Sequence, residues 1–396
     1  MDLFSDGLMV QDMLHDHLYP ERESGIMQIS KNRTAGFLTD EYINDIVVPE
    51  EDFEDYFSPV GLHAWVYHVL DQVLPLSNVH KLAFMRGMNA AAFALMFTII
   101  LWWCQKAFGS AAMWISFAFL CFLSPCFYGF ARNLYYVGWT FLFGYALFAI
   151  LTQTGWMRSK HYFFIMFLAG LIAGAVRFLC SFEYTPIVMM GTMLPVVFYW
   201  GQNAKSVREF VWKCLPVGLG LLAAFFLACG VKVVMLYGYF GNFAHAWEKF
   251  MEPIKIRVLD DLSGLDEEAK IIFQGGLDAK WYELARVIFN WGCINLGNFT
   301  LNFCDFIMMS VVSSGFLLQQ WLNGKLKDEQ IRKTRTILLS SMLGFLAPFS
   351  WILLGKSHIY FHMSIYIHFW TYFFLPIAIG VLCYAFQMGG HNKELK

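Results

Sequence analysis

Polar and apolar positions in this chain alternate on the scale of whole helices. After a polar head, apolar stretches fall near 84–104, 111–129, 137–154, 162–180, 185–200, 215–236, 302–321, 337–354 and 369–388. Each has roughly the length an α-helix needs to cross a hydrocarbon layer about 30 Å thick. The pattern predicts an all-α integral membrane protein with about nine transmembrane helices. The stretch at 185–200 is the shortest and contains Pro186 and Pro195, which membrane helices tolerate where neighbours resatisfy the backbone. The chain therefore divides into a head (1–82), a first bundle part (83–236), a polar insert (237–301) and a second bundle part (302–396).

Inside the head, Gly61 to Leu74 places Leu62, Trp65, Val66, Val69, Leu70 and Val73 on one helical face, predicting a helix that lies in the membrane interface. The insert contributes an amphipathic run from Ala279 to Trp291 and an acidic, turn-rich stretch from Leu259 to Lys270. Composition agrees with a membrane chain. Hydrophobic residues make up 58% and charged residues only 15%, against about 25% charged in a soluble domain. A net charge of −2 predicts no nucleic-acid partner. The nine cysteines are odd in number and form no C-x-x-C pair, so they read as small buried hydrophobes rather than as a zinc ribbon or disulfide framework.

Charge then orients the bundle. Lys106, Arg158, Lys160, Lys205, Arg208, Lys213, Lys325, Lys327, Arg332, Lys333, Arg335, Lys393 and Lys396 all fall on one side, and translocation disfavours such loops. The short loops of the opposite side carry only Arg132 and Lys356. The head, the insert and three Tyr-containing loops are thereby expected outside the cytoplasm. The acidic head has no signal-peptide features of its own, so a membrane helix upstream of Met1 is expected to export it.

The outer face also collects the candidate chemistry. Arg177 and Lys232 lie inside apolar stretches near their outer ends; each either snorkels or points into the bundle, with Glu183 a partner for Arg177. Lys356, His358, Tyr360 and His362 cluster in one outer loop, where His358 and His362 share a helical face. They suit hydrogen bonding to a phosphate at the membrane surface, the plain alternative being an interfacial aromatic belt. Arg86 and Arg132 extend this set of outer cations. In the head, Asp6 and Asp40 are candidate general bases for deprotonating an acceptor hydroxyl, the alternative being ordinary solvated charges. Asp12, His15, Asp16 and His17 have metal-ligand chemistry, but neighbours two apart diverge on a helix, and no metal site is assigned.

Together these features resemble the polytopic glycosyltransferases of the GT-C fold, of the dolichyl-phosphate-mannose mannosyltransferase and aminoarabinose transferase type. The resemblance spans nearly the whole chain as architecture: an acidic residue early in an extracytoplasmic first loop, interfacial helices there, then a bundle with later outer loops. Locally it rests on Arg132-Asn133-Leu134-Tyr135, Phe182-Glu183-Tyr184 and Lys356-Ser357-His358-Ile359-Tyr360-Phe361-His362, similar to outer-loop motifs of bacterial members. It implies a bacterial inner-membrane enzyme moving a sugar, with inversion, from a polyprenyl-phosphate carrier to a glycan, lipid or protein acceptor. It further implies Asp6, then Asp40, as base. Arg132, Arg177 and Lys356, helped by His358 and His362, would serve the departing phosphate, and Glu183 would orient Arg177 or contact the sugar. The fold's first helix is the part missing from this sequence. A divalent cation is the one cofactor such chemistry leaves room for. Two other readings compete: an O-antigen polymerase or ligase, with its chief residues in 237–301, and a transporter, which needs midplane charges and paired broken helices.

Overall fold

The structure, a computed structural model, describes residues 3–20, 26–31, 38–259, 261, 263, 270, 274–276 and 278–394. The chain is mostly helical, and every apolar stretch named above falls on a helix. These are α4 (Asn78–Phe108), α5 (Ser110–Ala118, prolonged by a π turn at Phe119–Leu123), α6 (Trp139–Leu151), α7 (Tyr162–Phe178), α8 (Thr185–Asn203) and α9 (Val207–Phe240). After the insert come α12 (Phe303–Leu322), α13 (Asp328–Leu354), the short α14 (Lys356–Phe361), and α15 (Met363–Phe369) running through a π turn into α16 (Leu375–Glu394).

Among the described residues five helices are long and apolar enough to cross a membrane: Asn78–Phe108, Val207–Phe240, Phe303–Leu322, Asp328–Leu354 and Met363–Gly390. The last is the central one, because 89% of its most apolar stretch is buried, against 33–44% in the other four. Three shorter apolar helices, Ser110–Leu123, Trp139–Leu151 and Tyr162–Phe178, pack among them.

Helices α7 and α9 approach each other closely. A Cβ at Gly220 would lie 2.2 Å from the Phe167 carbonyl oxygen, and one at Gly170 would lie 2.7 Å from that of Val217. Backbone meets backbone there, as small residues permit between membrane helices. Gly220→Val is accordingly expected to destabilise the fold by about 1–3 kcal/mol. Thermal unfolding in detergent checks this; an unchanged midpoint would contradict the packing.

The head is a small folded layer. Helix α1 (Leu3–Leu18) buries Leu8, Met9, Val10, Met13 and Leu14 against a two-stranded sheet of β1 (Met27–Ser30) and β2 (Phe53–Tyr56), paired antiparallel with Met27 opposite Tyr56. Helix α2 (Thr39–Ile43) adds Tyr42, whose hydroxyl donates to Asp71 at 2.5 Å.

Helix α3 (Leu62–Val73) packs inside out by the standards of a water-soluble protein. It buries His63, Ala64, Tyr67 and Asp71 while Leu62, Trp65, Val66 and Val73 are exposed. The run Gly61–Leu74 forms the amphipathic helix expected there, with its apolar side outward.

The insert forms α10 (Phe243–Val258), α11 (Trp281–Phe289) and a hairpin of β3 (Gly292–Leu296) and β4 (Phe299–Asn302). Helix α11 matches the amphipathic run predicted over 279–291. The acidic stretch at 259–270 lies largely outside the described residues.

The two charge faces meet at opposite ends of the bundle. At one end Lys213 lies over the Tyr162 and Trp200 rings and Arg335 donates to the Gly201 carbonyl. At the other the head docks on the bundle: Gly61 and Leu62 amides donate to the carbonyls of Cys180 and Leu179, and Lys232 donates to Pro59 at 2.6 Å. All nine cysteines are free thiols, and Cys304 is the exposed one.

Candidate functional site

The head-proximal end draws together residues far apart in sequence. Asp6, on α1, is 1% exposed. Its Oδ2 accepts from Arg86 Nη2 at 2.5 Å and Nε at 3.1 Å, and its Oδ1 accepts from the Leu134 amide at 2.7 Å. One carboxylate thus ties the head to α4 and to the 132–136 loop. In this arrangement Asp6 anchors the head to the bundle. Asp40 is exposed in the first turn of α2, away from any described cavity lining.

The same loop holds Arg177. This guanidinium is fully buried, donates to the Tyr136 carbonyl at 3.0 Å and Thr140 Oγ1 at 3.2 Å, and stacks 3.7 Å over the Phe141 ring. Its Nε and Nη2 have no hydrogen-bond partner among the described residues. It does not snorkel. A buried cation with unspent donors is costly, and such groups cluster where a protein binds anions.

Glu183 follows on the turn into α8, with a carboxylate oxygen 3.8 Å from His358 Nε2. His358 Nδ1 accepts from the Trp351 indole at 3.3 Å, and its ring lies 4.7 Å from that of His362. The histidine pair predicted to share a face does so. Val137 and Tyr184, which flank the Arg177 environment, both adopt left-handed backbone (φ 48° and 60°) that a β-branched or bulky side chain disfavours. Strain of this kind concentrates at functional sites.

The remaining expected residues sit further out. Arg132 is exposed, Lys356 half-buried at the start of α14, and Tyr360 48% exposed, its ring toward Gly275.

Sequence reading missed His63. Both ring nitrogens are buried without a hydrogen-bond partner among the described residues, and the ring meets Tyr67 and Tyr135 edge-on. Burial first, then the Arg177 charge, pulls its pKa down to about 3, with Glu183 opposing. The signal was present: His63, Tyr67 and Asp71 recur every fourth residue, opposite the apolar face of α3. Because the folded pKa lies below the unfolded value of about 6.5, the unfolded state binds more protons between these limits. Stability from a neutral His63 is therefore complete above the unfolded pKa and is lost as pH falls toward 3. Asp12 works the other way. Burial, then the neighbouring Asp16, raises it well above the usual carboxylate range against the Gln28 amide, so falling pH relieves its cost. His63→Phe is expected to flatten the acid loss that wild type shows between pH 6.5 and 3; unfolding midpoints measured across that range, with equal slopes in both proteins, would contradict the assignment.

Two cavities open beside this cluster. The first, about 270 Å³, is walled by Phe182, Pro186, Phe225, Phe250, Pro253, Ile254 and Trp351, with Glu183, Lys232 and Lys249 as its charged edge. The second, about 630 Å³, is more polar and lies between head and bundle, lined by Asp12, Asp16, Gln28, His68, Trp65 and Lys232. Lys232, 4% exposed, borders both.

The residues of the 12–17 run disperse as helix geometry predicts. Asp12 Oδ1 accepts from the Gln28 amide at 2.7 Å, Asp16 pairs with His68 at 2.9 Å, and His17 approaches Asp45 at 3.4 Å. Among the described residues no group of three or more His, Cys, Asp or Glu is disposed to hold a metal ion.

The chain matches no protein-family model, no curated protein and no solved structure.

Proposed function

We propose that this protein is a polytopic membrane glycosyltransferase of the GT-C type, moving a sugar from a polyprenyl-phosphate carrier to an acceptor hydroxyl at the extracytoplasmic membrane face. The nine helices would all be spans, and the basic loops the cytoplasmic ends. The observation that carries the reading is the position of Lys232, a buried ammonium that borders both an apolar cavity and a second cavity carrying Asp12, Asp16, Gln28 and His68 among its lining. A lipid phosphate needs that sequence of surroundings: hydrocarbon for the chain, a cation for the phosphate, polar groups for the sugar.

In this reading the isoprenoid tail lies along Phe225, Phe250 and Ile254, while Lys232 and Lys249 hold the phosphate. Arg177 and the Glu183–His358 pair form a preorganised polar wall behind it. As the bond from the anomeric carbon to the phosphate oxygen breaks, negative charge accumulates on the phosphate. Fixed cations in a dry site stabilise that charge more than they stabilise the ground state. A divalent cation remains an open addition. The transporter alternative draws less support, since Lys232 and Arg177 lie near the head-proximal end of the bundle rather than at its middle.

Lys232→Met keeps the length of the side chain and removes its charge. A hydrogen bond to a charged group is worth about 1.5–3 kcal/mol, so KM for a polyprenyl-phosphate hexose is expected to rise roughly tenfold to hundredfold. Radiolabelled donor and native membrane vesicles measure this. An unchanged KM would remove Lys232 from the phosphate site.

A further inference from the structure

The proposed reaction needs a group to take the acceptor proton, and Asp6 lines neither cavity. We infer that Asp16 and His68 form the proton-accepting dyad of the acceptor site, which is the larger cavity. The inference rests on the glycosyl-transfer reading and adds to it the base and the acceptor's location.

The geometry is that of an oriented imidazole. His68 on α3 sends Nδ1 to Asp16 Oδ2 at 2.9 Å, so Nδ1 carries the proton and the carboxylate fixes the ring. With Nδ1 donating to Asp16, Nε2 is the basic nitrogen; it accepts from Gln72 Nε2 at 2.7 Å, and Gln72 is an exposed side chain at the helix surface. Asp16, His68 and Lys232 all line the larger cavity. The base and the proposed phosphate site thus face one space. At about 630 Å³ it lies within the range of small-molecule sites, and its lining joins apolar walls with a few polar groups, Asp12, Asp16, Gln28, His68 and Lys232, that could hold acceptor hydroxyls.

Among the described residues Asp12 also lines this space, and His15 lies beside the dyad, its Nδ1 3.5 Å from Asp16. Asp71, on the same helix as His68, is taken up by Tyr42 and Lys81. Asp12 is held toward its protonated form by burial and then by Asp16.

The step balances. The acceptor oxygen forms a bond to the anomeric carbon as the bond from that carbon to the phosphate oxygen breaks. The acceptor proton passes to His68 Nε2, the imidazolium is stabilised by Asp16, and polyprenyl phosphate leaves with the electron pair. Proton loss to water then resets the dyad. Arrangements of this kind contribute about 10²–10⁴-fold in rate.

The test uses the full chain in native membrane vesicles, which carry the endogenous acceptor, with a panel of radiolabelled polyprenyl-phosphate hexoses. His68→Ala is expected to lower the rate of donor consumption at saturation by about 10²–10³-fold, with KM for the donor unchanged and with partial rescue by added imidazole. Asp16→Asn should lose rate without that rescue, and Gln72→Ala should stay within a few-fold of wild type. Rescue separates a missing base from a misfolded variant. A His68→Ala protein at wild-type rate, or one whose deficit imidazole does not relieve while donor binding persists, overturns the dyad and leaves the transferase reading standing. Wild type consuming no donor overturns the transferase reading itself, and the dyad with it.

Discussion

Asp6→Asn is expected to lower stability by about 3 kcal/mol rather than to yield a folded but inert protein. Removing one partner of a buried pair strands the other. Arg86 would keep its charge at the junction of α1 and α4, and the Leu134 amide would lose a charged acceptor. The figure sits at the low end for such losses because Arg86 retains a quarter of its side-chain surface, where water offsets part of the cost. Arg86→Gln in the same protein should restore part of the loss, since the two substitutions share one interaction. Thermal unfolding of both single variants and the double variant measures this directly. The resemblance to GT-C enzymes predicts the opposite pattern, with Asp6→Asn folded as wild type and devoid of transfer. One set of melting curves decides between them.

Arg177→Met is expected to reverse that relation between fold and activity. A buried charge whose donors are not all met carries a desolvation cost, so replacing it by an apolar side chain of similar length is expected to be neutral or stabilising. Among the described residues two guanidinium nitrogens lack partners, so removing the charge relieves part of that cost. Met also fits against Phe141, where the guanidinium now stacks. If Arg177 stabilises charge on the leaving phosphate, the same change should lower the transfer rate by about 10²–10³-fold. A stable, inactive Arg177→Met protein is the expected result, read from unfolding midpoints and donor turnover on one preparation. A protein that loses stability yet retains turnover per folded molecule would make Arg177 a structural group.

What could be read from the sequence divides along physical lines. The helices could, because hydrocarbon thickness fixes their length and each apolar stretch signals itself locally. The two charge faces could too; Lys213, Arg335 and Arg177 lie at the ends their loops predicted. The roles of individual carboxylates could not. Asp6 and Asp16 are both head acids on one helix, and only packing decides that Asp6 turns toward Arg86 while Asp16 turns toward His68 and a cavity. Helix α3 shows where the sequence held more than its apolar face revealed. That face led to the membrane surface, and the opposite stripe of His63, Tyr67 and Asp71, read with the same periodicity, leads to the site. Lys232 is a further case. Its depth in an apolar stretch was evident, but the two cavities it separates are made by Pro59, Phe182 and Phe250, residues from three distant segments.

The most direct test of the account is photo-crosslinking of the protein in liposomes with a polyprenyl-phosphate hexose whose tail carries a photoactivatable group near the phosphate. The account predicts crosslinks concentrated on Phe225, Phe250 and Ile254, abolished by excess unlabelled donor and weakened by Lys232→Met. Crosslinks spread over the lipid-facing surfaces of α9 and α12 and indifferent to competing donor would contradict it.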